Sequence, residues 1–279
     1  MRTVAISDWI QCGEGGYSRV YVNPDLPDVV LKLNDACFPE SSAQMEFDAA
    51  DKVQSLRLPS PDVYEVVTDG AGRYGILMEK LHDKKSFARI VADEPYRADE
   101  IACRFASLAR TLLSTPSDTS VFESVPDRMQ RVIMACDAYS PRIKDKICSI
   151  ISGIDKTTTC LHGDLHFGNV VECSKGDMWI DCGEFGYGHP VFDLSQPLML
   201  SEKYDDNKAQ REFHMSAACH KEFYSLFEKH FYGRLSDAAK EDIRNRLRRM
   251  FLVKYSYYGA LDNKMTDRLV SALEKLIGQ

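Results

Sequence analysis

The stretch CLHGDLHFGNVV, residues 160–171, decides how the chain is read. It sets His162, Asp164, His166 and Asn169 in one short polar run between strand-like apolar residues. Three chemistries compete for such a run: a metal site, a polar strand end, or a phosphate-transferring loop. Zinc is disfavoured, because Gly163 and Gly168 argue against a helix that presents both histidines to one metal, and there is no H-E-x-x-H run. The next segments, NVVEC and DMWID, are strand-like and separated by SKGD. A hairpin with that four-residue loop would pair Val170 with Asp181 and leave Asn169 beside them. Asp164, Asn169 and Asp181 would then converge at one end of the hairpin and its preceding loop. Two carboxylates and an amide oxygen form a hard-oxygen set, suited to Mg²⁺ bound mainly through substrate phosphates.

HGDLHFGN (162–169) followed by IDCG (180–183) resembles the H-x-D-x-x-x-x-N and D-x-G motifs of the protein-kinase-like fold. With GHPVFDL at 188–194, this version is most similar to the aminoglycoside phosphotransferase and choline kinase-like small-molecule kinases. The resemblance implies an α+β, bilobal protein-kinase-like fold, with a β-rich N-lobe carrying one helix and a mostly helical C-lobe. It also implies that Asp164 accepts or orients the proton of an attacking hydroxyl, that Asn169 and Asp181 hold Mg²⁺, and that His166 acts near the γ-phosphate. His162 and Asp193 resemble residues that brace the catalytic loop. Residue by residue, a core histidine and a helix cap remain the competing readings of those two.

Composition is consistent with a cleft enzyme. The chain has 279 residues with 44% apolar content, enough for a large core or for two lobes. Neither a cationic leader with an apolar run nor a membrane-length apolar segment is present, so a cytoplasmic protein without a membrane partner is expected. The nine cysteines are scattered and never spaced C-x-x-C, which excludes a disulfide framework or a zinc knuckle. Net charge is −7 with no basic run, so no nucleic-acid partner is expected.

The texture changes near residue 82. Before it, DWIQC, RVYVN, DVVLKL, PDVYEVV and RYGILME read as strands. SSAQMEFDAADKVQSL reads as a helix, with Ser41 and Gln44 as a capping box and Met45, Ala49, Val53 and Leu56 as its apolar stripe. After it, helices are expected near 94–113, 125–139, 142–153, 207–231, 236–261 and 266–277, with Ser236 and Thr266 as caps for the last two. The expected division is a nucleotide-binding lobe at 1–81 and a helical lobe at 82–279.

Within the first lobe, CGEGGYSRVY offers Gly13, Gly15 and Ser18 as a loop over phosphates. A dinucleotide-binding turn would need a helix next, whereas strand and turn follow. Lys32 lies in an apolar strand, where an unpaired ammonium is costly, so it needs an anion. The resemblance makes that anion the α/β-phosphates of the nucleotide, with Glu46 as second partner and Asp48 or Asp51 as alternatives. Met78, Glu79 and Leu81 resemble the hinge that meets the base through its backbone; a buried strand edge is the competing reading.

Only eleven residues separate Asp181 from Asp193, too few for an activation segment. Gly163 in place of arginine agrees, and Cys182 in place of phenylalanine argues against a phenylalanine-flip switch. The expectation is a Mg²⁺-dependent kinase that uses ATP or GTP and a small hydroxylated acceptor. An aminoglycoside or other amino-sugar is one candidate class; choline-like compounds, nucleosides and sugar alcohols are others. A non-enzymatic nucleotide-binding pseudokinase and a protein kinase are the alternatives.

Overall fold

The computed structural model describes residues 1–14, 18–261, 263 and 273. The chain forms two compact units: Met1–Ser86 with Asn169–Glu184, and Phe87–Gly168 with Phe185–Gln279. The first unit therefore runs past the expected division at residue 81 and takes in the hairpin that follows Asn169.

The first unit holds β1 (Arg2–Thr3), β2 (Ile10–Glu14), β3 (Ser18–Asn23), β4 (Leu26–Asn34), α1 (Glu40–Ser55), β5 (Val63–Thr68), β6 (Tyr74–Glu79) and β7 (Lys85–Ser86). Six of these strands form one sheet in the order β1-β5-β6-β4-β3-β2. Period-two alternation turns Leu31 and Leu33 of β4 to one face, into a core with Val4, Trp9, Tyr21, Val67 and Leu77. The same alternation sends Lys32 to the opposite face. There α1 packs on β5 and β6.

Two details of α1 differ from the expectation. Its N-cap is Pro39 with no side-chain cap, so Ser41 and Gln44 form no capping box. Met45 is 65% exposed, while Ala43 and Val53 are buried. The inward face follows 43, 46, 50 and 53, which are helical neighbours, and so it carries Glu46. An apolar periodicity search passes over that face because a charge interrupts it.

In the second unit the order is α2 (Phe87–Asp93), α3 (Ala98–Ser114), α4 (Val125–Ala135), α5 (Pro141–Ser152) and β8 (Thr159–Leu161). After the residues assigned to the first unit come β11 (Gly186–Gly188), α6 (Val191–Lys203), α7 (Asp206–Phe213), α8 (Ala217–Tyr232) and α9 (Asp237–Leu261). The missing numbers, β9 (Val170–Cys173) and β10 (Gly176–Trp179), are the hairpin of the first unit. Helix α3 buries Ile101, Phe105 and Leu112, and it meets α8 through Phe105 and Phe227, whose ring centroids are 4.9 Å apart. Ser124 and Ser140 cap α4 and α5 by accepting the N–H groups of Asp127 and Ile143. Helix α6 is buried from Val191 to Ser201 except at Leu194, as expected of a helix enclosed on all sides. Strands β8 and β11 pair antiparallel.

The single helix expected over 207–231 is two. His214 ends α7 in the left-handed region, at φ 60°, and Ser216 caps α8 by accepting the Cys219 N–H at 3.2 Å. Phe213 and Met215 are both buried on either side of this corner, whereas on a continuous helix with one exposed face residues two apart point about 200° from each other. Ser236 accepts the Ala239 N–H at 3.2 Å, as expected of a cap for α9. The helix expected at 266–277 and its cap Thr266 lie outside the described residues. Among the described residues no helix is long and apolar enough to cross a membrane.

An exposed histidine held at positive φ stores strain that glycine relieves. His214→Gly should raise stability by about 0.5–1 kcal/mol, or about 2 °C in thermal denaturation.

Candidate active site

In the first unit, charge is concentrated around Lys32. Its Nζ donates to Glu46 Oε1 at 2.6 Å and to Asp181 Oδ1 at 2.7 Å. Burial alone would push the ammonium down, but Asp181 and then Glu46 outweigh it and hold Lys32 well above its ordinary range. The amine is therefore a fixed cation at neutral pH. Of the three acids considered on α1, Glu46 supplies the contact, while Asp48 accepts from Gln44 Nε2 at 2.8 Å.

Asp181 reaches this position from the end of the β9–β10 hairpin, whose register differs from the expected one. Cys173 pairs with Gly176 and Val170 with Trp179. The turn is thus the two residues Ser174 and Lys175, not a four-residue loop. Ile180 N–H donates to the Asn169 carbonyl at 3.0 Å, so Asn169 faces Ile180 and Asp181 lies one residue further on. A slip of two residues preserves which face each side chain occupies, so Asn169 and Asp181 still flank the same hairpin end. Asp181 itself has φ 61°, an uncommon conformation for a residue other than glycine. The turn Cys182–Glu184 then passes close to α1. A Cβ on Gly183 would stand 3.4 Å from Glu46 Cγ, in van der Waals contact with the lysine's partner. Cys182 is buried, and burial, then Asp181, push its thiol up to about 12. It remains a neutral packing residue.

The loop 162–168 is built in the second unit on the buried end of β8. Asp193, fully buried on α6, accepts the His162 N–H at 2.6 Å and the Gly163 N–H at 3.0 Å. Lys254 of α9, 4% exposed, donates to the Gly163 carbonyl at 2.7 Å. Gly163 has φ 87°, a conformation that arginine would adopt only under strain. The loop is therefore gripped through both the N–H and the carbonyl of Gly163. Burial raises the Asp193 carboxyl, while Lys254 and His162 oppose that shift.

Asp164 follows directly. Its Oδ1 accepts from Gln196 Nε2 at 2.7 Å, and its Oδ2 lies 3.3 Å from His166 Nε2. The Gly168 N–H donates to His166 Nδ1 at 3.1 Å, so Nδ1 is the acceptor and the proton sits on Nε2, facing Asp164. Burial works against the Asp164 anion, but His166, Lys254 and His162 outweigh it and hold the carboxyl well below the usual range. Asp164 is ionised at neutral pH.

The remaining expected residues belong to the first unit. Gly13 lies in β2 and Ser18 opens β3, while Gly15 is outside the described residues. Met78 and Glu79 end β6, and Leu81 is buried just beyond. The Glu79 carboxylate accepts the Asp62 N–H and pairs with Lys175, so its side chain is committed locally. Two residues escaped the sequence reading. Gln196 had no local signal beyond standing one helical turn after Asp193. Lys254 had one: it is a lone cation in the apolar run MFLVKYSYY, the same anomaly that singled out Lys32.

Replacing Lys254 by methionine leaves the buried Asp193 without its counter-charge. Lys254→Met should cost about 3 kcal/mol, read as a fall of roughly 6–12 °C in the thermal midpoint.

Comparison with known proteins bears on the fold and the family. Among solved structures, a thermostable mutant of aminoglycoside phosphotransferase APH(4)-Ia superposes with a TM-score of 0.62 at 13% identity, over 97% of this chain and 93% of that one. Aminoglycoside-3'-phosphotransferase of type VIII gives 0.59 at 15% identity, over 89% and 93%. Amicoumacin kinase gives 0.54 at 15% identity, over 99% and 89%. These likenesses establish the shared kinase-like fold. No curated protein sequence matches the chain. The phosphotransferase enzyme family (APH) matches residues 9–219, most of the chain, and the protein belongs to that family.

Proposed function

We propose that the protein is a kinase that moves the γ-phosphate of ATP or GTP to a hydroxyl of a small molecule. The observation that carries this reading is a pair of charged groups held in their working states. Lys32 is a permanent cation between Glu46 and Asp181, and Asp164 is a carboxylate kept ionised by its surroundings. Solved neighbours supply context: APH(4)-Ia was captured with ADP and hygromycin B, and amicoumacin kinase with AMP-PNP and Ca²⁺.

In this reading Lys32 binds the α/β-phosphates, and Glu46 keeps it aimed. Gly13, Gly15 and Ser18 cover the phosphates, and the backbone around Met78, Glu79 and Leu81 receives the base. Asp164 takes the proton of the acceptor hydroxyl as its oxygen bonds to the γ-phosphorus. The bond from that phosphorus to the β-phosphate bridging oxygen breaks, and the nucleoside diphosphate leaves. His166, whose Nε2 lies 3.3 Å from Asp164 Oδ2, supports that carboxylate beside the γ-phosphate.

Asn169 and Asp181 would hold Mg²⁺. The oxygen donors fit: the Asp181 carboxylate is 56% exposed and Asn169 stands at the same hairpin end. Among the described residues no three His, Cys, Asp or Glu side chains are grouped for a metal, so phosphates and water would complete its shell. Bound there, the ion would offset charge on the β- and γ-phosphate oxygens.

The acceptor proposed first is an aminoglycoside or another amino-sugar. A protein acceptor is disfavoured by the eleven residues between Asp181 and Asp193. A pseudokinase is disfavoured because base, lysine and both oxygen ligands are all retained.

The deciding experiment measures nucleotide consumption over a panel of antibiotics, amino alcohols, nucleosides, sugars and a generic protein. Turnover with a small hydroxylated compound supports the reading. Turnover with protein alone, or none at all, overturns it. With a working acceptor, Asp164→Ala should lower kcat about 10²- to 10⁴-fold while nucleotide binding persists. Asp181→Ala and Lys32→Met should instead weaken nucleotide affinity, read by calorimetry with Mg²⁺ present.

A further inference from the structure

Helix α6 carries two side chains that reach the loop 162–168 from one face. Asp193 and Gln196 are three residues apart and therefore neighbours on the helix surface. Asp193 holds the backbone of His162 and Gly163. Gln196 reaches the next residue and donates its Nε2–H to Asp164 Oδ1 at 2.7 Å.

The price in stability is visible at the other end of the amide. Gln196 is 4% exposed, and among the described residues its buried Oε1 has no hydrogen-bond partner. A buried, unmatched carbonyl destabilises a fold. The amide therefore serves something other than packing. Its orientation is also fixed by charge: turned over, it would set Oε1 against an ionised carboxylate, two acceptors facing each other.

The opposite oxygen of Asp164 meets the proton-bearing Nε2 of His166, and His166 is itself fixed by the Gly168 N–H and by the Phe213 ring, whose centroid is 5.4 Å away. We propose that Gln196 is a positioning residue which, with His166, holds the Asp164 carboxylate in one orientation toward the acceptor hydroxyl. This deepens the proposed kinase reading and rests on it. A general base must lie within hydrogen-bond reach of its proton in a narrow range of geometries, and a misplacement of about 1 Å costs about a hundredfold. Gln196 acts through Asp164 and need touch neither nucleotide nor acceptor.

The test uses the full chain, MgATP and whichever panel compound the wild type phosphorylates. Gln196→Met keeps length and volume but has no donor. Its thermal midpoint should stay within about 2 °C of wild type or rise, both KM values should stay within about twofold, and kcat should fall about tenfold to a hundredfold. In an Asp164→Asn background the same change should alter the residual single-turnover rate less than about twofold, because the group it positions is gone. An unchanged kcat in the folded Gln196→Met variant, or an equal loss in both backgrounds, overturns the proposal.

A second measurement stands apart from turnover. The Gln196 side-chain amide, assigned by its loss in Gln196→Met, should show a downfield, slowly exchanging proton in ¹⁵N-edited spectra. That signature should disappear in Asp164→Ala. If no panel compound is phosphorylated, the kinase reading fails and the amide signal alone judges the contact. An amide that behaves as solvent-exposed overturns the inference even where turnover is normal.

Discussion

A lysine ammonium carried inward by an otherwise apolar strand has to be met by anions, and that requirement organises the first unit. Leu31 and Leu33 commit β4 to the core, and alternation leaves Lys32 nowhere to go but the face under α1. Glu46 on the inner stripe of α1 and Asp181 at the hairpin end answer it at 2.6 and 2.7 Å. A partly buried charge without partners costs several kcal/mol. Glu46 is supplied by α1, and Asp181 does its part at φ 61°. The close passage of the turn at Gly183 past Glu46 belongs to the same arrangement.

The second unit solves the corresponding problem with the sign reversed. Two carboxylates, Asp193 and Asp164, lie near one buried lysine, Lys254, and their fates differ. Asp193 spends its oxygens on two backbone N–H groups and is raised by its complete burial. Asp164 is held low by His166, Lys254 and His162. The first clamps the loop backbone and the second stays an ionised carboxylate, a difference between neighbouring acids that is set by environment.

Where the sequence misled, the causes are specific. Met45 was attractive because it is apolar, yet the inner face of α1 is the one bearing Glu46; periodicity assumes that charge points outward, and at a site it does not. The hairpin was legible as a hairpin, but its turn closed over two residues instead of four, and strand-like composition does not fix where pairing stops. The break at His214 hides in a continuous helical pattern because the pattern records propensity and not the tertiary need to bury both Phe213 and Met215. Lys254 could have been found by the logic that found Lys32, since both are cations stranded in apolar runs.

The sequence by itself determined the class of chemistry. HGDLHFGN and IDCG place two aspartates, an asparagine and two histidines at short, fixed spacings, where covalent connectivity limits how far apart the side chains can be. It also determined the β-rich and helical halves, because local periodicity of two or of 3.6 needs no long-range partner. Only the tertiary structure decided which acid on α1 meets Lys32, that the hairpin belongs to the first unit, and that Gln196 and Lys254 attend the loop from distant helices. Those contacts span from 14 to 149 residues of sequence. They depend on helix rotation, strand register and packing, and no local pattern in the chain encodes such quantities.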